Sequence, residues 1–366
     1  MDRSHLPKIS IIILNWNGWR DTLECLESIY RNNYPDYDVV VVDNGSEDES
    51  VQKIREYAEG KIEINSKFFK YNPNNKPIKL LELTKIDIRN KKQMKKKDNN
   101  SFWEYSPQKR LILIKNNENL RYAKGNNIGI QYALNVLNAD FVFILNNDTV
   151  VSSTIIEEFV KFVTSKKNEK LGMIGPKIYY YYEPNKVWFA GSRVKWCLCD
   201  LPTIKDTETL QEVDVLSGCA QFISSEFLLN SKIKGYDPTY PPGYDNIEIC
   251  LRAKKMGYKI YYLPTAVMWH KVGQSRIKAE VYAEKYVRQW RYRGINALKE
   301  RERMLRMYYS GPKLCKPLLK ICCFTYIPIK QLLQIVLDSR NPSTIKGIIK
   351  GHIAYIKYKI KTWRRE

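Results

Sequence analysis

The chain contains no run of about twenty uncharged apolar residues, the length a helix needs to span a hydrocarbon core, so no segment reads as a spanning helix. Its opening residues, Met1 to Lys8, pass straight into a strand without the apolar h-region of a secretory leader. The eight cysteines include a C-x-C at Cys197 and Cys199 and an adjacent pair at Cys322 and Cys323, with the rest scattered. No paired C-x-x-C zinc pattern appears, and reduced thiols in a cytoplasmic protein are the simplest account. A G-x-G-x-x-G loop is missing where the first strand meets its helix, which weakens a nicotinamide or flavin reading. Only three histidines occur, so His270 stands out.

What the chain has in excess is positive charge, +22 over 366 residues, and the excess is local. Residues 61–110 carry 14 Lys/Arg against 5 Asp/Glu, and residues 277–366 carry 21 against 6. The remainder, with 26 basic and 28 acidic side chains, is nearly neutral. A nucleic-acid-binding core would not confine its charge to an insert and a tail, whereas a neutral core held near anionic lipid or a phosphorylated substrate could. At this length the natural expectation is one domain of catalytic size with additions.

The core alternates strand, polar loop and helix. Ile9 to Leu14 is an apolar β-branched run ending in Asn15-Trp16-Asn17-Gly18, and Asp21 to Tyr30 has helical spacing. Val39 to Val42 ends in Asp43-Asn44-Gly45-Ser46, with a helix expected from Ser50. Leu111 to Ile114 is followed by Asn116 to Gly129, in which small residues allow close backbone approach and Asn126 and Asn127 are expected to cap the next helix. The run Phe141 to Leu145 stops in Asn146-Asn147-Asp148. Open α/β sheets bind ligands at the carboxyl ends of their strands. An acid there suits a hard divalent cation that holds phosphates, whereas taken alone Asp148 reads as a cap for a helix starting near Ser152. Asp43 likewise reads either as a turn residue or as an acceptor for a base N–H or ribose hydroxyl.

These segments together resemble the inverting family 2 glycosyltransferases of the GT-A fold, in particular the rhamnosyltransferase-like branch that builds surface polysaccharides. The resemblance spans about residues 8 to 276 around the insert. It rests on Asn15-Trp16-Asn17, Val41 to Ser46, Asn119 to Asn127 and Leu145 to Asp148. Downstream it continues through Ser217-Gly218-Cys219-Ala220, Gly235-Tyr236-Asp237, Asp245 to Ala253 and Trp269 to Ser275. The fold implied is α/β, a mixed and mainly parallel sheet flanked by helices, with a basic helical C-terminal extension. The function implied is transfer of a sugar from a UDP- or dTDP-linked donor to a hydroxyl of a glycan or lipid-linked acceptor.

By the same resemblance, Asn15, Asn17, Asp43, Asn44, Asn119, Gly125, Asn126, Asn147, Gly218 and Cys219 are expected around the nucleotide sugar. Asp148 and His270 are expected on Mg2+ or Mn2+. Asn146 stands where the first acid of an Asp-x-Asp motif would be, so Asp148 is the one charged candidate in that motif. The family's catalytic base comes from an acid pair, and this chain has Asp245-Asn246. An amide takes up no proton, so the base falls to Asp245, with Glu248 as orienting partner or substitute. Acids in the first turn of a helix are also ordinary dipole complements, the plainer reading of Glu248.

The domain expected at 1–276 is interrupted by a Lys/Asn-rich insert at 58–110, read as a solvated excursion in which Ile78 to Leu83 offers one further strand. Residues 277–366 form the basic, partly apolar tail. Tyr282 to Met307 has helical spacing, and Leu314 to Leu337 is more apolar but broken by Pro317, Pro328 and lysines. The tail reads either as an interfacial element on an anionic membrane surface or as a helical subdomain packed on the core. The expectation is a cytoplasmic protein peripheral at the inner face of the cell membrane, with no nucleic acid partner. Two rivals stand beside this reading: a sugar nucleotidyltransferase, which should carry a Gly-rich loop after strand one, and a basic nucleic-acid-binding protein.

Overall fold

A computed structural model describes residues 6–89, 100–195, 201–272 and 307–308. Met1–Gly191 and Thr203–Val272 form one compact unit. Residues 192–202 and 273–366 form a second, of which only 192–195, 201–202 and 307–308 are described. The expected tail elements at Tyr282 to Met307 (Met307 apart) and Leu314 to Leu337, and the lysine run at 91–97, therefore lie outside the described residues. Among the described residues, no helix is long and apolar enough to cross a membrane.

The first unit is built on one sheet of eleven strands. Strands β1 (Ile9–Asn15) and β2 (Tyr37–Asp43) are almost wholly buried, as their unbroken apolar runs require when helices cover both faces. Helices α1 (Trp19–Ile29) and α2 (Ser50–Ala58) follow them. Next come β3 (Lys79–Thr84), α3 (Lys85–Arg89), β4 (Arg110–Lys115), α4 (Arg121–Tyr132), β5 (Phe141–Asn146), β6 (Thr149–Val151) and α5 (Ile155–Ser165). The second half contains β7 (Leu171–Tyr180), β8 (Val187–Phe189), β9 (Gln211–Glu212), β10 (Ala220–Ser224), α6 (Ser225–Asn230), α7 (Asp245–Lys255) and β11 (Lys259–His270).

The strand order is β3-β4-β2-β1-β5-β10-β7-β11-β6, with β8 on β7 and β9 on β11. The first five strands in that order run parallel, and β10 runs antiparallel to both β5 and β7. Register puts Asn15 opposite Asp43, Leu14 opposite Asn146 and Asp43 opposite Lys115. The polar ends of β1, β2 and β5 therefore share one edge, where such sheets place their ligands.

Three local expectations are corrected. Helix α4 does not begin after Asn126 and Asn127 but at Arg121. Asn119 supplies the turn instead: its Oδ1 accepts the Arg121 N–H at 2.8 Å and the Asn44 amide at 2.9 Å. Asp148 caps no helix, because Thr149–Val151 intervene as a strand, paired antiparallel with Met268–His270 before α5 begins. The insert is also less of an excursion than its composition suggested. The strand potential near Ile78 is realised as β3, pairing along β4 as the edge of the sheet. The segment before it is anchored by a buried cluster in which Glu27 accepts from Lys76 Nζ (2.9 Å), Tyr57 Oη (2.8 Å) and Asn72 N–H (3.2 Å).

Two glycines one turn apart seat α4 on the sheet. A Cβ on Gly125 would lie 2.6 Å from Leu14 Cδ1, and one on Gly129 would lie 2.5 Å from Ile12 Cγ2. Both neighbours belong to β1, so Gly→Ala, ordinarily favourable in a helix by about 1 kcal/mol, should reverse sign here. Gly129→Ala is expected to lower stability by about 1–3 kcal/mol through overpacking, read from urea unfolding midpoints. An unchanged or raised midpoint would mean that α4 is not held so tightly.

Candidate functional site

At the end of β2, the Asp43 carboxylate is buried and organised by three donors. Oδ2 accepts from Asn15 Nδ2 (2.7 Å) and Ser46 Oγ (2.6 Å), and Oδ1 from the Ser46 N–H (3.1 Å). Asn15 Oδ1 in turn accepts from Thr22 Oγ1 at 2.8 Å, so the last residue of β1 ties β2 to α1. Asn17 holds the facing loop: its Oδ1 accepts the Glu47 N–H at 2.8 Å, with its own backbone in the left-handed region at φ 49°. Between these anchored asparagines the Trp16 side chain is 51% exposed. An exposed indole in the middle of a buried polar edge was not singled out by sequence, since the motif was read through its amides.

Asn147 links this group to the next. Its Nδ2 lies 3.1 Å from Thr22 Oγ1 and 3.4 Å from Asn15 Oδ1. Beside it the β6–β11 pairing sets His270 opposite Thr149, and the Lys271 N–H donates to the Asp148 carbonyl at 2.9 Å. His270 Nε2 thereby comes within 3.2 Å of Asp148 Oδ1, and both side chains are buried. The contact is short but badly angled for a hydrogen bond, leaving Asp148 Oδ1 and His270 Nδ1 without hydrogen-bond partners. Burial opposes a proton on His270, but Cys219 and Asp148 outweigh it and raise its pKa to about 10. The Trp188 ring lies 4.8 Å from the imidazole. Lys271 turns the other way, onto Asp21 (2.7 Å) and Glu24 (2.5 Å) of α1.

A carboxylate and an imidazole brought together by the β6–β11 pairing are a donor set that fits a small divalent cation, which would take the place of the imidazole proton and draw its other ligands from phosphate and water. Among the described residues no group of three or more His, Cys, Asp or Glu side chains could hold a metal by itself.

Against the end of β5 and His270 lies the turn at Ser217-Gly218-Cys219, which leads to the start of α7. Cys219 is buried, with Sγ 3.2 Å from Ser217 Oγ, and its carbonyl accepts the Asn146 N–H at 2.9 Å. Gly218 packs against Asn246, whose Cβ would sit 3.1 Å from a Cβ added there. Asp245 is 2% exposed, and its Oδ1 accepts the Gly243 N–H (3.0 Å) and the Asn246 N–H (2.9 Å). Burial pushes its pKa up to about 6, against the pull of those backbone donors. An acid so tuned is ionised at neutral pH yet able to take a proton.

Other expected residues are placed nearby but are engaged in holding the fold. Asn44 is fully used: its amide donates to Asn119, and its oxygen accepts from Asn116 Nδ2 and the Leu120 N–H, both at 3.1 Å. Gly125 faces Leu14 in the sheet, and Asn126 donates to the Tyr122 carbonyl inside α4. Glu248 is fully buried and ion-paired with Arg252 at 3.0 Å. Arg252 also reaches Ser231 Oγ (2.6 Å), the Gly235 carbonyl (2.6 Å) and the Ile233 carbonyl. Tyr122 was missed by sequence: its hydroxyl donates to the Gly218 carbonyl at 2.5 Å, a contact across 96 residues that no local pattern signals.

Comparison with known proteins bears on family and fold. Residues 10–78 match the model described as Glycosyl transferase family 2, and residues 95–294 that of Glycosyltransferase like family 2. No curated protein sequence matches the chain. Among solved structures, the mannosyltransferase PcManGT from Pyrobaculum calidifontis, in complex with GDP-Man and Mn2+, is similar at a TM-score of 0.54 with 15% identity. That match covers 96% of this chain and 88% of PcManGT. GalNAc-T7, solved with UDP, GalNAc and Mn2+, gives 0.50 with 16% identity over 73% of this chain and 44% of its own. This chain thus spans less than half of that structure. The likeness is one of fold: a GT-A sheet, mostly parallel and flanked by helices.

The Glu248–Arg252 pair generates a prediction of its own. Removing one partner of a buried pair strands the other charge, so Arg252→Met is expected to destabilise the protein by about 3–5 kcal/mol in chemical unfolding. Near-wild-type stability would mean that the pair is not the brace its burial indicates.

Proposed function

The chain belongs to glycosyltransferase family 2, and within that family we propose that it is an inverting enzyme of the rhamnosyltransferase-like branch. It moves a sugar from a UDP- or dTDP-linked donor to a hydroxyl of a glycan or lipid-linked acceptor in surface polysaccharide or glycoconjugate synthesis. The observation that carries this reading is the buried Asp245 carboxyl. It stands beside Asn246, which packs on the Gly218 turn, and that turn meets Asn146 at the strand edge that also carries Asp43 and the Asp148–His270 pair.

Inversion requires the acceptor oxygen to attack the anomeric carbon on the face opposite the departing diphosphate. Asp245 is the base: as the new C–O bond forms and the glycosyl–phosphate bond breaks, the acceptor's hydroxyl proton passes to its carboxylate. Asn246 cannot share that role, and Glu248, committed to Arg252, braces α7. On the donor side, Asp43 accepts from the nucleobase while Asn15 and Ser46 hold its carboxylate in place. The exposed face of Trp16 suits stacking on the base. Asn17 and Asn119 shape the loops beside it, Asn44 and Asn126 hold those loops to the helix, and Gly218 and Cys219 line the floor beneath the donor sugar. Asp148 and His270 would hold Mg2+ or Mn2+, which when bound would neutralise charge developing on the leaving diphosphate. Mn2+ in both solved neighbours supports a divalent cation here. Residues 277–366, with 21 basic against 6 acidic side chains, supply attachment to an anionic membrane surface at its cytoplasmic face.

Donor screening by thermal shift with UDP-, GDP- and dTDP-sugars plus Mn2+ is the first test, and no nucleotide response would sink the reading. Asp245→Asn is expected to lower kcat by about 10²–10⁴-fold while calorimetry shows donor affinity nearly intact. An equal loss of affinity would remove Asp245 from the base role. Because the base must be ionised and its pKa is raised to about 6, kcat/KM should fall as pH drops through about 6. A flat profile down to the ordinary carboxylate range would contradict the assignment. Asp148→Ala should abolish Mn2+-dependent strengthening of nucleotide binding, and transfer that stays fast in excess EDTA would rule out the cation.

A further inference from the structure

Outside the crevice, the segment before β3 carries the run Lys67-Phe68-Phe69-Lys70-Tyr71. It lies against the end of β11, beside β6, the last strand of the sheet. Phe68 stacks on Trp269 at 4.4 Å and meets the Tyr181 ring edge to face at 5.0 Å. Lys67 Nζ lies over three rings, 4.6 Å from the centre of Tyr181, 5.1 Å from Phe68 and 5.6 Å from Tyr182. The segment is fixed at α1 and just beyond it. The Asn72 N–H donates to Glu27 at 3.2 Å, and Arg31 Nη1 donates to the Lys70 carbonyl at 2.8 Å.

The patch is basic as well as aromatic. Lys67 and Lys70 are exposed, and among the described residues neither has a carboxylate partner. The neighbouring acids are already engaged: Asp21 and Glu24 by Lys271, Glu24 also by the Tyr181 hydroxyl, and Glu183 by Lys186. Within residues 62–72, Glu63 is the single acid. Tyr182 is 66% exposed, and Phe68 and Trp269 are partly so. Rings and unneutralised ammonium groups thus share one surface.

Stacking on a sugar needs an open ring face. Here Phe68 is covered by Trp269, and Tyr181 has two ammonium groups over its ring, Lys67 and, at 4.8 Å, Lys271. Exposed cations beside partly exposed rings match instead a headgroup layer, where rings take the polar–apolar boundary and lysines reach lipid phosphate. We propose that this patch is a docking surface for an anionic lipid bilayer, on the catalytic unit itself and additional to residues 277–366. The crevice is adjacent, since the Tyr181 N–H donates to the His270 carbonyl at 2.9 Å. Docking therefore brings the strand edge that carries Asp148 and His270 to the headgroups, where a lipid-linked acceptor presents its hydroxyl. That consequence rests on the acceptor proposed above, whereas the lipid contact itself does not.

Flotation and hydrogen exchange of the full-length protein on vesicles test this. Mixed phosphatidylglycerol and phosphatidylcholine vesicles should slow exchange in 66–72 and 180–185, and vesicles of phosphatidylcholine alone should not. Lys67→Gln combined with Lys70→Gln is expected to weaken partitioning onto the mixed vesicles about tenfold or more, with the thermal-shift response to nucleotide kept. Protein that floats with no protection in these two segments is held by residues 277–366 alone, which overturns the proposal without needing a variant to fold. Partitioning unchanged in the double variant overturns it as well. Protection by a soluble oligosaccharide in place of vesicles would assign the patch to a glycan instead. Lipid protection in a protein that gives no nucleotide response would remove the donor reading and leave the docking surface standing.

Discussion

The register of β1 against its two parallel neighbours is the constraint on which the crevice depends. Asn15 sits opposite Asp43, and Leu14 opposite Asn146, because three apolar runs pair along their length with both faces buried. A slip of one residue would turn every buried side chain to the other face, and the core tolerates none. That intolerance is what places the Asn15–Asp43 bond, the Ser46 turn and Asn147 in one row. The glycines of α4 tighten it further, since Ile12 and Leu14 of β1 leave room for a helix only without a Cβ at Gly125 and Gly129.

The second half of the site depends on a pairing of a different kind. His270 is the last residue of a twelve-residue strand, and the three-residue strand after Asp148 folds back along it. This short antiparallel pair brings an acid and an imidazole 122 positions apart into contact. It also separates their charge management: His270 turns toward Asp148, whereas Lys271, the next residue, is drawn to Asp21 and Glu24 on α1. Alternation along an extended backbone thus keeps an ammonium out of the crevice and an imidazole in it.

Three of the four acids that sequence marked have different fates because their surroundings differ. Asp43 is held in place by Asn15 and Ser46 and becomes a fixed acceptor. Asp245 is buried with only backbone donors, so its proton affinity rises. Glu248 lies one helical turn beyond Asp245, close enough in sequence to be interchangeable as a base, yet it meets Arg252 and becomes part of the scaffold. Spacing along a helix identified candidates, and Arg252, one turn on and held by residues 231–235, separated the base from the brace. Trp16 and Tyr122 show the converse. One was hidden inside a motif read for its amides, and the other makes a contact with no local signature.

Sequence alone determined β1, β2, β4 and β5, the polar endings of β1, β2 and β5, and the ordered motifs of a family 2 glycosyltransferase. Apolar runs that stop abruptly can satisfy their backbone only in a sheet, and their polar ends can lie only at its edge. Tertiary structure decided what each polar group does there. It moved the start of α4 from Asn126 to Arg121, released Asp148 from helix capping, drew part of the basic insert into the sheet and tied Glu248 to Arg252. The partners that decide these outcomes lie from four positions away, for Glu248 and Arg252, to 75, for Asn44 and Asn119, and further still for Thr149 and His270. A linear pattern cannot carry that information, because hydrogen bonding and burial depend on position in space and not on position along the chain.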